Sequence, residues 1–126
     1  MVGLLKIMYY TKKYDREKTT IPKLFEETAK KMGDKQCILF QDQKWTFKEV
    51  LTFSDRVCDY FASQGFKDGD VVAIFTENCP EYMPMWVGMS KAGVVAALVN
   101  FNLRDVALSH CIRVGEILAF RQYHVK

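Results

Sequence analysis

Long apolar runs are missing from this chain of 126 residues. The longest stretch near the start, Val2 to Tyr10, is short and carries Lys6. About 20 apolar residues are needed to cross a bilayer, so no transmembrane segment is expected. The opening residues also carry no cleavable signal pattern. Glycine is sparse, at seven residues, and does not cluster. Neither GxGxxG nor GxxxxGK[ST] occurs, which removes both common phosphate-cradling signatures. The four cysteines, at 37, 58, 79 and 111, show no CxxC or CxH spacing, so a zinc site is not expected. Cys37, Cys58 and Cys79 fall in or beside expected core elements, which favours buried free thiols in a reducing compartment over disulfides. Charge of one sign is missing too. The formal net charge is only +3 and the basic residues are spread along the chain, so a nucleic-acid partner is not expected.

What remains is ordinary for a small folded unit. Apolar residues make up 49% and charged residues 26%, and a chain of this size buries roughly two-thirds of its unfolded surface. A modest core is therefore within reach.

The pattern reads as alternating helices and strands. Thr20-Ile21-Pro22 opens a first helix, with Thr20 as N-cap and Pro22 tolerated in the first turn. Glu26 and Glu27 are read as early and Lys30 and Lys31 as late, matching the helix dipole, and Gly33-Asp34 ends the helix. Cys37–Phe40 reads as a strand, Gln41–Lys44 as a polar turn and Trp45–Phe47 as the returning strand of a hairpin. Thr46-Phe47-Lys48-Glu49 matches a capping box. The helix that follows places Phe47, Val50, Leu51, Ser54, Val57, Cys58, Phe61 and Ala62 on one face, with Gly65 at its end.

Residues 65–104 form the most informative segment. A turn from Gly65 to Asp70 feeds a continuous apolar run, Val71–Phe75, as in a parallel strand buried on both faces. A helix carrying Tyr82, Met85, Trp86 and Met89 follows, and a second apolar strand is read at Val94–Val99. Pro84 conflicts with a helix starting at Pro80 and fits one starting later. Asn102 is read as the cap of a further helix from Arg104 to Val114, with Gly115 at its end. Ile117–Phe120 can imitate another buried strand, and Arg121–Lys126 is a polar tail. The expected class is α/β, built of βαβ units around a mostly parallel sheet that is incomplete.

Few residues carry a chemical signal. Gly65-Phe66-Lys67-Asp68-Gly69 joins a helix end to a strand start, whereas a phosphate cradle joins a strand to a helix N-terminus, so turn geometry explains it better. Asn100-Phe101-Asn102 lies beyond a strand's C-terminal end, where open α/β sheets place ligands, yet a turn and a helix cap account for both asparagines. His110 and Cys111 are helix neighbours about 100° apart and do not face each other. His124 is read as solvated. Met83, Met85, Trp86 and Met89 suit either an acyl-chain tunnel or ordinary helix-to-sheet packing, and packing needs fewer assumptions. Glu26-Glu27 and Asp68/Asp70 read as helix-dipole and turn residues. No catalytic, cofactor-binding or metal-binding residue is assigned.

Gly69-Asp70-Val71-Val72-Ala73-Ile74, Glu77-Asn78, Trp86-Val87-Gly88-Met89-Ser90-Lys91-Ala92-Gly93 and Asn100-Phe101-Asn102-Leu103-Arg104 resemble the fatty acid transport protein / very-long-chain acyl-CoA synthetase family of adenylate-forming, AMP-binding enzymes. The resemblance runs from about Thr20 to Arg113. It implies an enzyme that uses ATP and Mg2+ to turn a fatty acid into an acyl-adenylate. Attack by the CoA thiol then yields acyl-CoA and supports fatty acid uptake. It also implies a location at the cytosolic face of the endoplasmic reticulum or plasma membrane. The family's phosphate loop and catalytic residues have no counterpart here, so the chain reads as an N-terminal fragment expected to be inactive alone. On this reading 1–19 is a basic, membrane-proximal segment, 20–114 a partial AMP-binding domain and 115–126 a divergent tail.

Two alternatives stay open. The chain is a catalytically inactive short product that binds a membrane or a partner, or it is a generic Rossmann-like nucleotide binder, against which the missing glycine fingerprint counts. Residues 1–18 bear on the first alternative. Leu4, Leu5, Met8 and Tyr9 can share a helix face beside Lys6, Lys12, Lys13, Arg16 and Lys18, giving a weakly amphipathic membrane-surface segment, or the stretch is a solvated terminus.

Overall fold

The computed structural model describes residues 2–115, 117 and 119–122. The elements run α1 (Val2–Arg16), α2 (Ile21–Met32), β1 (Gln36–Phe40), β2 (Gln43–Thr46), α3 (Phe47–Ser63), β3 (Val71–Phe75), α4 (Tyr82–Lys91), β4 (Val95–Leu98), α5 (Asp105–Val114) and β5 (Ala119–Gln122). The expected α/β class is what forms. A parallel sheet of order β4-β3-β5 carries the helices, and β1-β2 stands apart as an antiparallel hairpin.

The core lies between α3, α4 and one face of the sheet. Val72 and Ile74 from β3, Met85 and Met89 from α4, and Val94 form its buried cluster, with Phe53, Val57, Phe61, Phe66 and Trp86 packed around them. Phe53 lies off the helix face expected from periodicity, and Ala62, placed on that face, is exposed. α3 and α4 approach closely because small residues meet at their crossing. Ser54 is fully buried and its hydroxyl donates to the Val50 carbonyl at 2.8 Å. A Cβ on Gly88 would stand 2.5 Å from the Ser54 carbonyl oxygen and 2.6 Å from the Val57 Cβ.

Local signals set several boundaries. The capping box at Thr46 forms in full. The Glu49 N–H donates to the Thr46 hydroxyl at 3.2 Å, and the Thr46 N–H donates to the Glu49 carboxylate at 2.7 Å. α3 is capped at Gln64 and followed by Gly65 at φ +79°. The Gly65 N–H donates to the Ala62 carbonyl and the Phe66 N–H to that of Phe61. The Phe61 and Phe66 rings meet edge to face at 5.1 Å, which is the apolar contact a Schellman end uses. α4 starts at Tyr82, so Pro84 falls in the first turn, where its missing N–H has no intrahelical partner to lose.

Other boundaries differ from the sequence reading. Thr20 is the N-cap residue of α2, but its side chain makes no capping hydrogen bond, and Glu26 and Glu27 lie beyond the first turn. Glu26 instead faces cations, pairing with Lys30 at 2.7 Å and Lys91 at 3.8 Å. The hairpin turn is tighter than expected, just Gln41-Asp42, with Gln41 at φ +50°, so Gln43 and Lys44 already belong to β2. Arg104, not Asn102, is the N-cap residue of α5. Asn100 holds that turn instead, its side-chain oxygen accepting from the Asn102 N–H at 3.0 Å. The strand read at Ile117–Phe120 forms slightly later, as β5, in parallel register with β3.

Candidate functional site

All three strands of the sheet point their C-terminal ends to one edge. The chain leaves β3 for β4 on one side and returns through α5 to β5 on the other. The two directions part between β3 and β5, which is where open α/β sheets hold ligands. The segment after β3, Thr76–Glu81, and the segment after β4, Val99–Asn102, lie along this edge. Glu77, Asn78, Asn100 and Asn102 are exposed there, while Thr76 and Pro80 are buried.

Glu81 governs the chemistry of the start of α4. It is the N-cap residue, and one of its carboxylate oxygens is buried with no hydrogen-bond partner among the described residues. A helix N-terminus attracts anions. Here the N-cap residue is itself acidic, and although its side chain makes no capping hydrogen bond, its negative charge works against a phosphate there. Burial pushes the Cys79 thiol up first, and the Glu81 charge adds to the effect. Burial raises Tyr82 as well, with Cys79 contributing. Cys79 is therefore held as a thiol and is a poor nucleophile.

The glycine turns sit at the opposite end of the sheet. Gly69, at φ +89°, donates its N–H to the Gly93 carbonyl at 2.9 Å, ahead of β3 and β4. Gly93, at φ +75°, sits in a backbone conformation that favours glycine, and a Cβ there would press on the Asp68 side chain. Asp70 closes the turn by accepting from the Lys67 N–H at 2.8 Å. The structural reading of 65–70 is thus the one the geometry supports.

A cavity of about 250 Å³ lies between α3, β3 and α4. Phe53, Val57, Phe61, Val72, Ile74, Met85 and Met89 line it, with Arg56 and Tyr60 as its polar members. Pockets that enclose a drug-sized molecule run from about 300 to 1,000 Å³, so these residues by themselves shelter a short apolar group and not a long chain. Met85 and Met89 also belong to the buried core, so packing accounts for the methionine cluster. His110 is exposed and Cys111 half-buried on α5, and His124 lies outside the described residues. Among the described residues no group of acidic, histidine and cysteine side chains could hold a metal ion.

The sequence reading missed the ion cluster that joins three helices. Lys91 of α4 hydrogen-bonds Asp55 of α3 and faces Glu26 of α2. Burial works against its charge, but the hydrogen bond and charge of Asp55 outweigh that and raise its pKa. Arg56 and Tyr60 at the cavity were missed as well. A helical wheel marks Asp55, Arg56 and Tyr60 as lying off the apolar face. It says nothing of which neighbour each meets.

Comparison with known proteins agrees with this layout. The AMP-binding enzyme family model matches residues 25–120. The chain is 37% identical over 111 residues to long-chain fatty acid transport protein 1 of Rattus norvegicus, covering 86% of this chain and 17% of the relative. It is 34% identical to the human long-chain fatty acid transport protein 6, covering 90% of this chain and 19% of that one. The chain thus spans under a fifth of the length of these relatives. Among solved structures, the N-terminal subdomain of Klebsiella oxytoca NpsA, in complex with 3-hydroxyanthranilyl-AMSN, superposes with a TM-score of 0.78 at 22% identity, over 83% of this chain and 27% of that one. A Rhodopseudomonas palustris protein described as a long-chain-fatty-acid CoA ligase gives 0.76 at 19% identity, over 82% of this chain and 26% of its own. The structural likeness speaks for the fold and the family match for descent: this chain belongs to the AMP-binding enzyme family.

Proposed function

We propose that the chain is the opening part of the N-terminal domain of a long- or very-long-chain fatty acid–CoA ligase that supports fatty acid uptake at a membrane. The observation that carries this reading is the 37% identity to a long-chain fatty acid transport protein across most of the chain. In such an enzyme a fatty acid carboxylate attacks ATP to give an acyl-adenylate and pyrophosphate, and the CoA thiol then displaces AMP. Mg2+ would accompany the ATP. The described residues do not fit the phosphates, because the N-cap residue of α4 is the acidic Glu81 and the glycine turns lie at the other end of the sheet. No step of the reaction is therefore assigned to a residue of this chain. Its part is scaffolding: β3, β4 and β5 supply strands of the parallel sheet, so the stretch read as a divergent tail from 115 contributes β5 to it, and 1–19 approach the membrane.

Immunocapture from the source cells with an antibody to residues 47–63 tests the reading. The captured protein should form oleoyl-CoA from oleate, ATP and CoA, and the purified 126-residue chain should not. Captured protein that forms no acyl-CoA from saturated or unsaturated long-chain acids would overturn the ligase assignment. Turnover by the purified chain alone would overturn the scaffolding role.

A further inference from the structure

Among the described residues, α1 leaves its apolar side chains in solvent, with Tyr14 alone half-buried. Leu4, Leu5, Ile7 and Tyr9 are each more than 60% exposed, and no other element packs substantially against the helix. At 3.6 residues per turn, Leu4, Ile7, Met8, Tyr10, Thr11 and Tyr14 share an arc of about 160°, which one acidic residue, Asp15, enters in the last turn of the helix. The tyrosines on it are ordered against one another, Tyr10 and Tyr14 stacking at 6.0 Å. Lys6, Lys12, Lys13 and Arg16 occupy the other side. Leu5 and Tyr9 lie among these basic residues, not on the apolar face. We propose that α1 is a membrane-surface helix, lying in the plane of an anionic bilayer with this apolar arc in the interface and its basic residues against lipid phosphates.

Three observations point to lipid over a protein groove. Fifteen residues of helix reach about 22 Å, less than the roughly 30 Å of a hydrocarbon core, and Lys6 interrupts the run, so the helix lies flat. The basic residues recur along its length from Lys6 to Arg16, matching a plane of negative charge. Stacked tyrosines, apolar in body and polar at the tip, suit the headgroup level. Lys18 adopts φ +48° directly after the helix, and the Thr19 N–H closes back on the Tyr14 carbonyl at 2.9 Å, so α1 ends in a defined turn before α2. The inference deepens the membrane placement of residues 1–19 proposed above, and its test is separate from that of the ligase activity, since lipid binding and acyl transfer are measured separately.

The test is sedimentation of the whole 126-residue chain with vesicles of phosphatidylcholine alone and of phosphatidylcholine mixed with phosphatidylserine. Binding should appear on the anionic vesicles at low salt and fall sharply in about 1 M salt, where the screening length is about 3 Å. Lys12→Glu with Lys13→Glu should weaken it roughly tenfold or more. Ile7→Glu with Met8→Glu should abolish it, while the thermal melt of either variant matches the parent. Absence of binding to anionic vesicles at low salt would overturn the proposal. So would binding that both double variants leave unchanged. A concentration-dependent dimer that Ile7→Glu with Met8→Glu dissolves, without vesicle binding, would overturn it too and give the face to a second copy of the chain.

Discussion

α3 and α1 are helices of similar length, 17 and 15 residues, and both have an apolar side. In α3 that side disappears into the protein, with Val50 and Ser54 at 0% exposure. In α1 it stays in solvent. Periodicity is present in both helices and so does not separate them. What separates them is the partner. α3 meets α4 at a crossing cleared by Ser54 and Gly88, and a capping box fixes where it starts. Among the described residues no other helix packs substantially against α1. An apolar stripe thus states that a surface will be covered. The covering partner must be read from elsewhere in the chain, or from outside it.

The sharpest way to break the contrast is to fill the crossing. Gly88→Val pushes a branched side chain into the Ser54 backbone and should destabilise the chain by about 3 kcal/mol, a large part of a small domain's stability. Thermal melting by circular dichroism should show the transition collapse. Removing the cap is the next largest change. Thr46→Ala should lower stability by about 1 kcal/mol in urea titration. The same box gives a pH signature. The backbone N–H of Thr46, then its hydroxyl, hold the Glu49 carboxyl below the ordinary carboxylate range. That contribution is complete above the ordinary carboxyl pKa of 4.5 and is lost as pH falls through the lower folded value, so Glu49→Gln should flatten the acid limb of a stability–pH curve.

Lys91→Ala should cost about 1 kcal/mol or less, because its partners Asp55 and Glu26 are partly exposed. The raised lysine pKa places the loss of this tie at alkaline pH, as pH climbs past the ordinary lysine value toward the folded one. At the small end, Leu5→Ser in α1 should leave the melt within about 0.5 kcal/mol of the parent, as for a surface position. A large loss there would show that α1 packs on the fold after all. Alkylation sharpens the interior side of the comparison. Burial raises the thiols of Cys37, Cys58 and Cys79, so each should react with iodoacetamide more slowly than a free thiol at neutral pH.

Legibility in the sequence followed distance along the chain. The Thr46 box, the Gly65 turn and the buried run of β3 were readable because their causes lie within a few residues of their effects. Pro84 was readable as a limit on where α4 begins. Gly88 was not readable as a contact point, because a glycine inside a helix pattern looks like a weak helix former until the facing Ser54 is placed. The same holds for Glu26, Asp55 and Lys91, which sit on three helices and meet through tertiary packing alone. Asn102 looked like a cap because asparagine favours that role, yet the Asn100 side chain took the turn and the helix began at Asp105, which sits at φ +46°. The Cys37, Cys58 and Cys79 side chains, read as buried, are half-buried. Of the candidate site, the position of Asn100–Asn102 at the sheet edge was legible. The orphaned Glu81 oxygen was not, since nothing in the string Cys-Pro-Glu-Tyr reports burial.

The register of β3 has a consequence for the chain while it is being made. Val72 pairs with Ala96 on one side and with Ala119, about twice as far along, on the other. Synthesis runs from the N-terminus, so β3, α4 and β4 emerge and can close as a unit while the other flank of β3 has nothing to pair with. During that interval an apolar strand shows an open row of backbone donors and acceptors, the kind of edge on which neighbouring nascent chains cross-pair. The rate at which ribosomes pass from Ala96 to Ala119 therefore sets how long each molecule is exposed to co-translational aggregation.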